Sequence, residues 1–313
     1  MKSVTGTRQV DLNISTFVFV MLMQETVRAD EVSLPPLALG NTSFEDGIAG
    51  PGILLEAPFE FFWSDNNKDS MGHSLPGEQR IRTETFLPHF AYISDFKLFG
   101  ANYGVEILQP IVNVDLNIDN GPKGSRTMFG DTIISPMILQ WAPVSLFGRP
   151  FWQRFNLSLI APTGAYDPDK SINAGSNVWI VDPHYAFTYQ ATDKVEFSGR
   201  FQYAWSGKNH DPASFLNADS IQPGQAFHMN MSVSFAVTES IRVGVAGYAL
   251  KQITDDKIDG VSQEDSREQV YGFGPGIMFK HAKTSILVNY YVESEAENRA
   301  EGDKLSIRIM TVF

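Results

Sequence analysis

The stretch Val195–Trp205, VEFSGRFQYAW, decides the fold. Val195, Phe197, Phe201, Tyr203 and Trp205 share one face of an extended chain, and Glu196, Ser198, Arg200 and Gln202 share the other. Residues 226–237, AFHMNMSVSFAV, repeat the pattern: Phe227, Met229, Met231, Val233, Phe235 and Val237 oppose His228, Asn230, Ser232 and Ser234. The chain ends the same way in LSIRIMTVF, with Leu305, Ile307, Ile309 and Phe313 on one face and Ser306 and Arg308 on the other. A period of two predicts strands with one apolar and one polar face.

Working outward from these, further strands are predicted near 52–63, 81–93, 103–118, 129–141, 151–161, 177–191, 240–253, 268–280, 284–293 and 304–313, making twelve with the two quoted first. Long polar loops follow the odd-numbered strands, as in PTGAYDPDKSINAGS after the fifth. Shorter links follow the even ones, as in TDK, TES and HAK. Strand ends of one kind therefore lie together. That arrangement predicts an all-β, twelve-stranded antiparallel transmembrane β-barrel of the bacterial outer membrane, occupying residues 48–313. Lipid cannot satisfy backbone N–H and C=O groups, so a membrane sheet must close on itself and remove its edges. The apolar faces then point to lipid and the polar faces to the lumen.

The bulk numbers agree. Of 313 residues, 43% are apolar and 23 are Phe, while charged residues reach only 19%, below the roughly 25% of soluble domains. With no Cys, there is no disulfide framework, thiol catalysis or Cys-ligated metal. A net charge of −12 and the lack of a basic cluster exclude nucleic acid as a partner. Lys2 and Arg8 precede an apolar run, Ile14 to Met23, and Val27-Arg28-Ala29 offers a cleavage site, so residues 1–29 are predicted to be a signal peptide. Residues 30–47 are expected to be a periplasmic segment or a lumen plug. Trp63, Trp141, Trp152, Trp179, Tyr203, Trp205 and Tyr290 near strand ends fit interfacial girdles.

Pro88, Pro110, Pro136, Pro183 and Pro275 fall inside predicted strands, where each removes a ladder hydrogen bond and marks a bulge or kink. At Pro110 the polar face shifts from Glu106 to Asn113, Asp115 and Asn117, which predicts a bulge that keeps all of them inside.

The stretches GNTSFEDGIAGPG (40–52), PTGAYDPDK with NAGSNVW (162–179), DPHYAFTY (182–189), GYALKQITDD (247–256), GPG (274–276) and AENRAEGD (296–303) together resemble the outer-membrane channel family of the meta-pathway of phenol degradation. The resemblance covers nearly the whole chain after residue 29. It implies a twelve-stranded channel for passive uptake of small molecules, aromatic or otherwise hydrophobic, destined for catabolism. The segment KNHDPASFLNADSIQPG (208–224) departs from the family pattern, so a permeant chosen by that loop does not transfer.

For a channel the working parts are the lumen wall and the loops that narrow it. Parity puts Glu56, Glu60, His89, Glu106, Asp115, Arg154 and Asp182 inside, together with His184, Glu196, Arg200, His228, Arg242, Glu293 and Arg308. Both signs are present. Opposed charges across a narrow lumen would orient polar solutes, and the plain alternative is that they pair and fill the interior. Tyr166, Asp167 and Asp169 are the candidate constriction loop, the Tyr able to stack on an aromatic solute. A charge at Phe197 or Met231 is expected to be costly and one at Ser198 tolerated. The terminal Phe313 resembles the signal read by the outer-membrane assembly machinery.

Two other classes remain open: a lipid-modifying outer-membrane enzyme and a closed structural barrel. His228 and Ser232 share a face, but the lumenal one, and no GxSxG, HExxH or P-loop pattern occurs, so neither catalysis nor a cofactor or metal is expected. Acidic loops, notably Asp255, Asp256 and Asp259, suit the hard cations that bridge lipopolysaccharide phosphates, or are simply solvated. The expected partners are outer-membrane lipid and lipopolysaccharide, the assembly machinery and a small permeant, with the protein a monomer.

Overall fold

The computed structural model describes residues 32–313, and the predicted signal peptide lies outside the described residues. Twelve strands form the wall. They are β1 (Gly52–Ser64), β2 (Gln79–Phe86 and His89–Leu98), β3 (Ala101–Leu108 and Ile111–Ile118) and β4 (Lys123–Phe129 and Thr132–Gln140). Next come β5 (Arg149–Ala161), β6 (Ile180–Val181 and His184–Tyr189), β7 (Val195–Ser206) and β8 (Ala226–Ala236). The ring finishes with β9 (Ile241–Gln252), β10 (Gln269–His281), β11 (Thr284–Glu297) and β12 (Asp303–Val312). Each pairs antiparallel with its sequence neighbours, and β12 returns to β1 from Leu54↔Val312 to Trp63↔Asp303, which closes the barrel. Closure satisfies the edges that lipid would otherwise leave bare.

Tight turns gather at one end. Phe99 and Gly100 join β2 to β3 with φ of 52° and 76°, the left-handed pair of a two-residue hairpin whose twist matches its strands. At the opposite, extracellular end the loops are longer, and they carry a small sheet of Ile221–Gln222, Lys257–Ile258 and Val261–Ser262. The link after β3 is shorter than expected, because Lys123–Phe129 continues as strand rather than loop.

Proline explains most of the interruptions. β2 breaks at Leu87–Pro88, β3 at Gln109–Pro110 and β6 at Asp182–Pro183. Near Pro136 the β4–β5 ladder slips register between Ile134 and Met137, which is a bulge. At Pro275 the β10–β11 register runs through unchanged.

At Pro110 the expected change of face does not occur. Val112 and Val114 keep the parity of Glu106 and line the interior, while Asn113 and Asp115 share an outer groove with Phe61, Trp63 and Glu84. Asp115 is therefore not a lumen residue. Its carboxylate accepts from Arg80 Nη1 at 2.8 Å on the outer face. The physical reason is that β2–β4 stand taller than the lipid. Above the outward row Phe59, Phe86, Ile111 and Phe129 the wall's exterior meets water, so outward residues there turn polar (Arg82, Glu84, Asn113, Thr127), while the inward residues of β3 stay apolar (Val112, Val114, Leu116) beside Thr83 and Thr85 of β2. Stacking of Phe59 on Phe86, with centroids 4.8 Å apart, marks the edge. Over the same height Lys123–Phe129 pairs only with β3, and its other edge is covered by the 162–179 loop. Ala165 N–H donates there to the Phe129 carbonyl at 2.8 Å.

The described residues ahead of β1, 32–51, lie lengthwise in the lumen. Leu34 N–H donates to Glu268 near the extracellular end, Gly40 N–H to Asn230 Oδ1 at 2.8 Å, and Gly47 N–H to Thr188 Oγ1 at 2.9 Å toward the periplasmic end. Leu39 packs with Tyr248, Leu250 and Tyr291, and Phe44 with Met278 and Leu287. Much of the interior beside β7–β11 is thereby filled.

Candidate functional site

The lumen's polar belt is built by parity. In β5, β6 and β7, Arg154, Ala186 and Arg200 stand directly beside one another, and Asn156, His184 and Gln202 form the next row. Ala186 is small and fully buried, which leaves room for the two guanidiniums on either side to converge. They meet on Asp46 of the lumenal segment. Arg200 Nε and Nη2 donate to its two oxygens at 2.9 and 2.6 Å, and Arg154 Nη2 adds a contact at 3.3 Å. Two-pronged guanidinium–carboxylate pairs of this kind are both strong and directional.

A second chain of charges crosses β12, β1, β2 and β3. Arg308 Nε donates to Glu56 at 2.6 Å, and His89 bridges Glu56 at 2.8 Å and Glu106 at 3.1 Å through its two ring nitrogens. Glu106 also accepts from Ser135 at 2.7 Å and Asn156 at 2.9 Å.

The remaining expected lumen residues are inside but dispersed. Lys304 Nζ contacts Glu60 at 3.0 Å, and Tyr248 donates to Glu293 at 2.8 Å. Glu196 accepts from Ser198 and Ser234, and Arg242 reaches Glu45 at 3.3 Å. His228 Nε2 pairs with Asp182 at 3.1 Å, with Gln202 on its other nitrogen. Ser232 joins none of these contacts, and its hydroxyl is buried without a partner. His184 Nε2 is also buried without a partner. Ser198, expected to tolerate a charge, is fully buried and shares its hydroxyl between Thr188 and Glu196.

A cavity of about 560 Å³ runs between the segment and the wall, lined mainly by β1–β6. Its extracellular part sets apolar Leu87, Val112, Val114, Ile133, Ile160 and Ile180 among polar Glu60, Thr83, Thr85, Asp131 and Asp182. The charged belt of Glu56, His89, Glu106, Arg154, Arg200 and Arg308 follows, and Ile53, Ile93, Ile138 and Met310 line the periplasmic part.

The loop expected to constrict the lumen does so with other residues. Asn173 and Ala174 line the cavity, while Tyr166 donates instead to the Asp211 carbonyl at 2.7 Å and Asp169 accepts from Ser214 at 2.6 Å. Burial raises the Tyr166 hydroxyl above its ordinary pKa, and a hydrogen bond from Lys170 holds the Asp167 carboxyl below the usual range. The divergent 208–224 loop thus braces Tyr166 and contributes no cavity-lining residue. What narrows the lumen is residues 35–50. Among them Asp46 and Glu45 lie outside any strand, so alternation gave no sign of their direction. Among the described residues no group of three or more His, Asp or Glu is placed to hold a metal ion.

The family described as "Putative MetA-pathway of phenol degradation" matches residues 64–309. The chain belongs to this family. A comparison with curated proteins returns no match. Among solved structures, an outer membrane channel from Pseudomonas putida F1 superposes with a TM-score of 0.75 at 17% identity, covering 90% of this chain and 100% of that one. The NanC porin gives a TM-score of 0.40 at 10% identity over 83% of this chain and 98% of its own. The toluene transporter TodX of Pseudomonas putida gives 0.40 at 9% identity over 85% and 89%. The first of these shows the barrel fold, and the other two are too distant to add to it. With its lipid-facing band, this family member is a β-barrel of the bacterial outer membrane.

Proposed function

We propose that the protein is a passive channel for small molecules with an apolar body, aromatic and other hydrophobic compounds destined for catabolism, and not an enzyme. The cavity carries this reading. Its volume falls within the ~300–1,000 Å³ of small-molecule sites, its extracellular wall carries a set of apolar side chains with a few polar groups among them, and it continues past the belt to the periplasmic rim. The family's link to phenol degradation agrees. A chain acting alone in lipid and lipopolysaccharide, delivered by the assembly machinery through Phe313, completes the proposal.

Planar-bilayer recording of the purified protein tests it: ohmic openings are expected, and silence together with lipase activity would overturn it. Deletion of the gene should slow growth on a limiting aromatic carbon source, and unchanged growth and uptake would count against aromatic permeants. A closed structural barrel is the second reading, favoured by the many hydrogen bonds fixing residues 32–51. It predicts a barrel silent under every condition.

A further inference from the structure

We infer that the Arg154–Arg200 pair is a carboxylate site at which a permeant's carboxylate displaces Asp46, so that the preferred permeants are small organic acids with an apolar body. The inference rests on the channel reading above and narrows it.

Asp46 anchors the lumenal segment to β5 and β7, held by both guanidiniums at 2.6–3.3 Å, while neighbouring Glu45 is held separately by Arg242 and Lys280. For the segment to swing aside, the two arginines must give up that carboxylate in a site buried from water. A ligand shifts such an equilibrium only by binding the released state better than the docked one. A neutral hydrocarbon offers the guanidiniums nothing and leaves the docked state favoured. A carboxylate replaces like with like: it meets the same donors in the same planar geometry and leaves Asp46 free to move toward the periplasmic rim.

The surroundings favour this exchange. Asp46, Arg154, Arg200 and His184 all border the one cavity, so an incoming group reaches the pair without opening the barrel. His184 sits one row above the pair, 5% exposed, with Nε2 buried and unpartnered, and is placed to give an incoming acid a further polar contact. Ile138, paired with Asn156 in the row next to the arginines, borders the same cavity and gives an aromatic or aliphatic body an apolar surface while its acid group sits at the belt. Ile160 and Ile180 stand two rows further up, beyond Ser158 and Asp182.

Single-channel recording at neutral pH, with benzoate and its uncharged isostere benzamide as probes, tests the assignment. Benzoate should raise the open fraction of the wild-type barrel about tenfold, a shift of roughly 1.4 kcal/mol between docked and released states, and benzamide should not. Asp46→Asn should open without ligand and lose the response. The Arg154→Gln/Arg200→Gln pair should no longer distinguish the two probes, with heat-modifiable gel mobility reporting that the barrel has closed. Opening by benzamide as readily as by benzoate would overturn the inference and leave the channel intact. So would a conducting wild type that ignores both, or a double variant that still prefers benzoate. A barrel silent throughout, Asp46→Asn included, would overturn the channel reading itself.

Discussion

The two sides of the barrel are built differently. Strands β7–β11 run unbroken, alternate lipid-facing apolar with lumenal polar residues, and enclose an interior filled by the N-terminal segment, Tyr248, Leu250 and Tyr291. Strands β2–β4 each break in two, enclose the cavity, and above their breaks carry polar residues outside, with the apolar inner face of β3 beside inward threonines of β2. Alternation itself reports only that two environments differ, not which is lipid, water or lumen. On the β7–β11 side both environments are the expected ones. On the β2–β4 side the outer one changes partway up the wall and the inner one is a cavity.

The contrast can be broken at graded cost. Asp46→Ala should have the largest effect, because it strands two buried guanidiniums: about 3–5 kcal/mol of segment docking, read as faster proteolysis of residues 32–51 and a rise in conductance. Met231→Arg, in the lipid band of β8, should cost about 2–4 kcal/mol in denaturant unfolding. Asn113→Arg, on the outer face above the break in β3, should stay within about 0.5 kcal/mol. Equal costs at these two positions would refute the reversal of polarity described for β2–β4. Ser198→Ala removes the hydroxyl shared by Thr188 and Glu196 and should cost about 1–3 kcal/mol by the same assay, showing that the lumen on this side is packed rather than wet. Phe313→Ala should leave the folded barrel's unfolding midpoint nearly unchanged while lowering the amount assembled in cells, since the residue is exposed beside Ile53 and buries little.

Much of this was legible. VEFSGRFQYAW and LSIRIMTVF report their faces directly, because lipid on one side and lumen on the other impose a period of two. Arg154 and Arg200 could be placed inside by parity alone. Asp115 could not: its parity is that of an outward residue, and only its polarity suggested otherwise. Reading it correctly requires knowing that β3 outgrows the membrane, which depends on its neighbours' heights. Asp46 was invisible for a different reason. A segment without regular structure has no periodicity, and its direction is set by the arginines it meets from strands more than a hundred residues away. Tyr166 looked available because a loop Tyr often is, and its partner Asp211 lies in another loop.

The eight residues Ile111–Ile118 rise above the break in β3, roughly 20 Å along the axis at the usual rise and tilt of barrel strands. With their neighbours in β2 and β4 they make a half-chimney, wetted outside and lined within by Val112 and Val114 beside Thr83 and Thr85, standing where the sugars of the outer leaflet would be. A hydrophobic permeant of the proposed channel would therefore meet apolar side chains before it reached the plane of the bilayer.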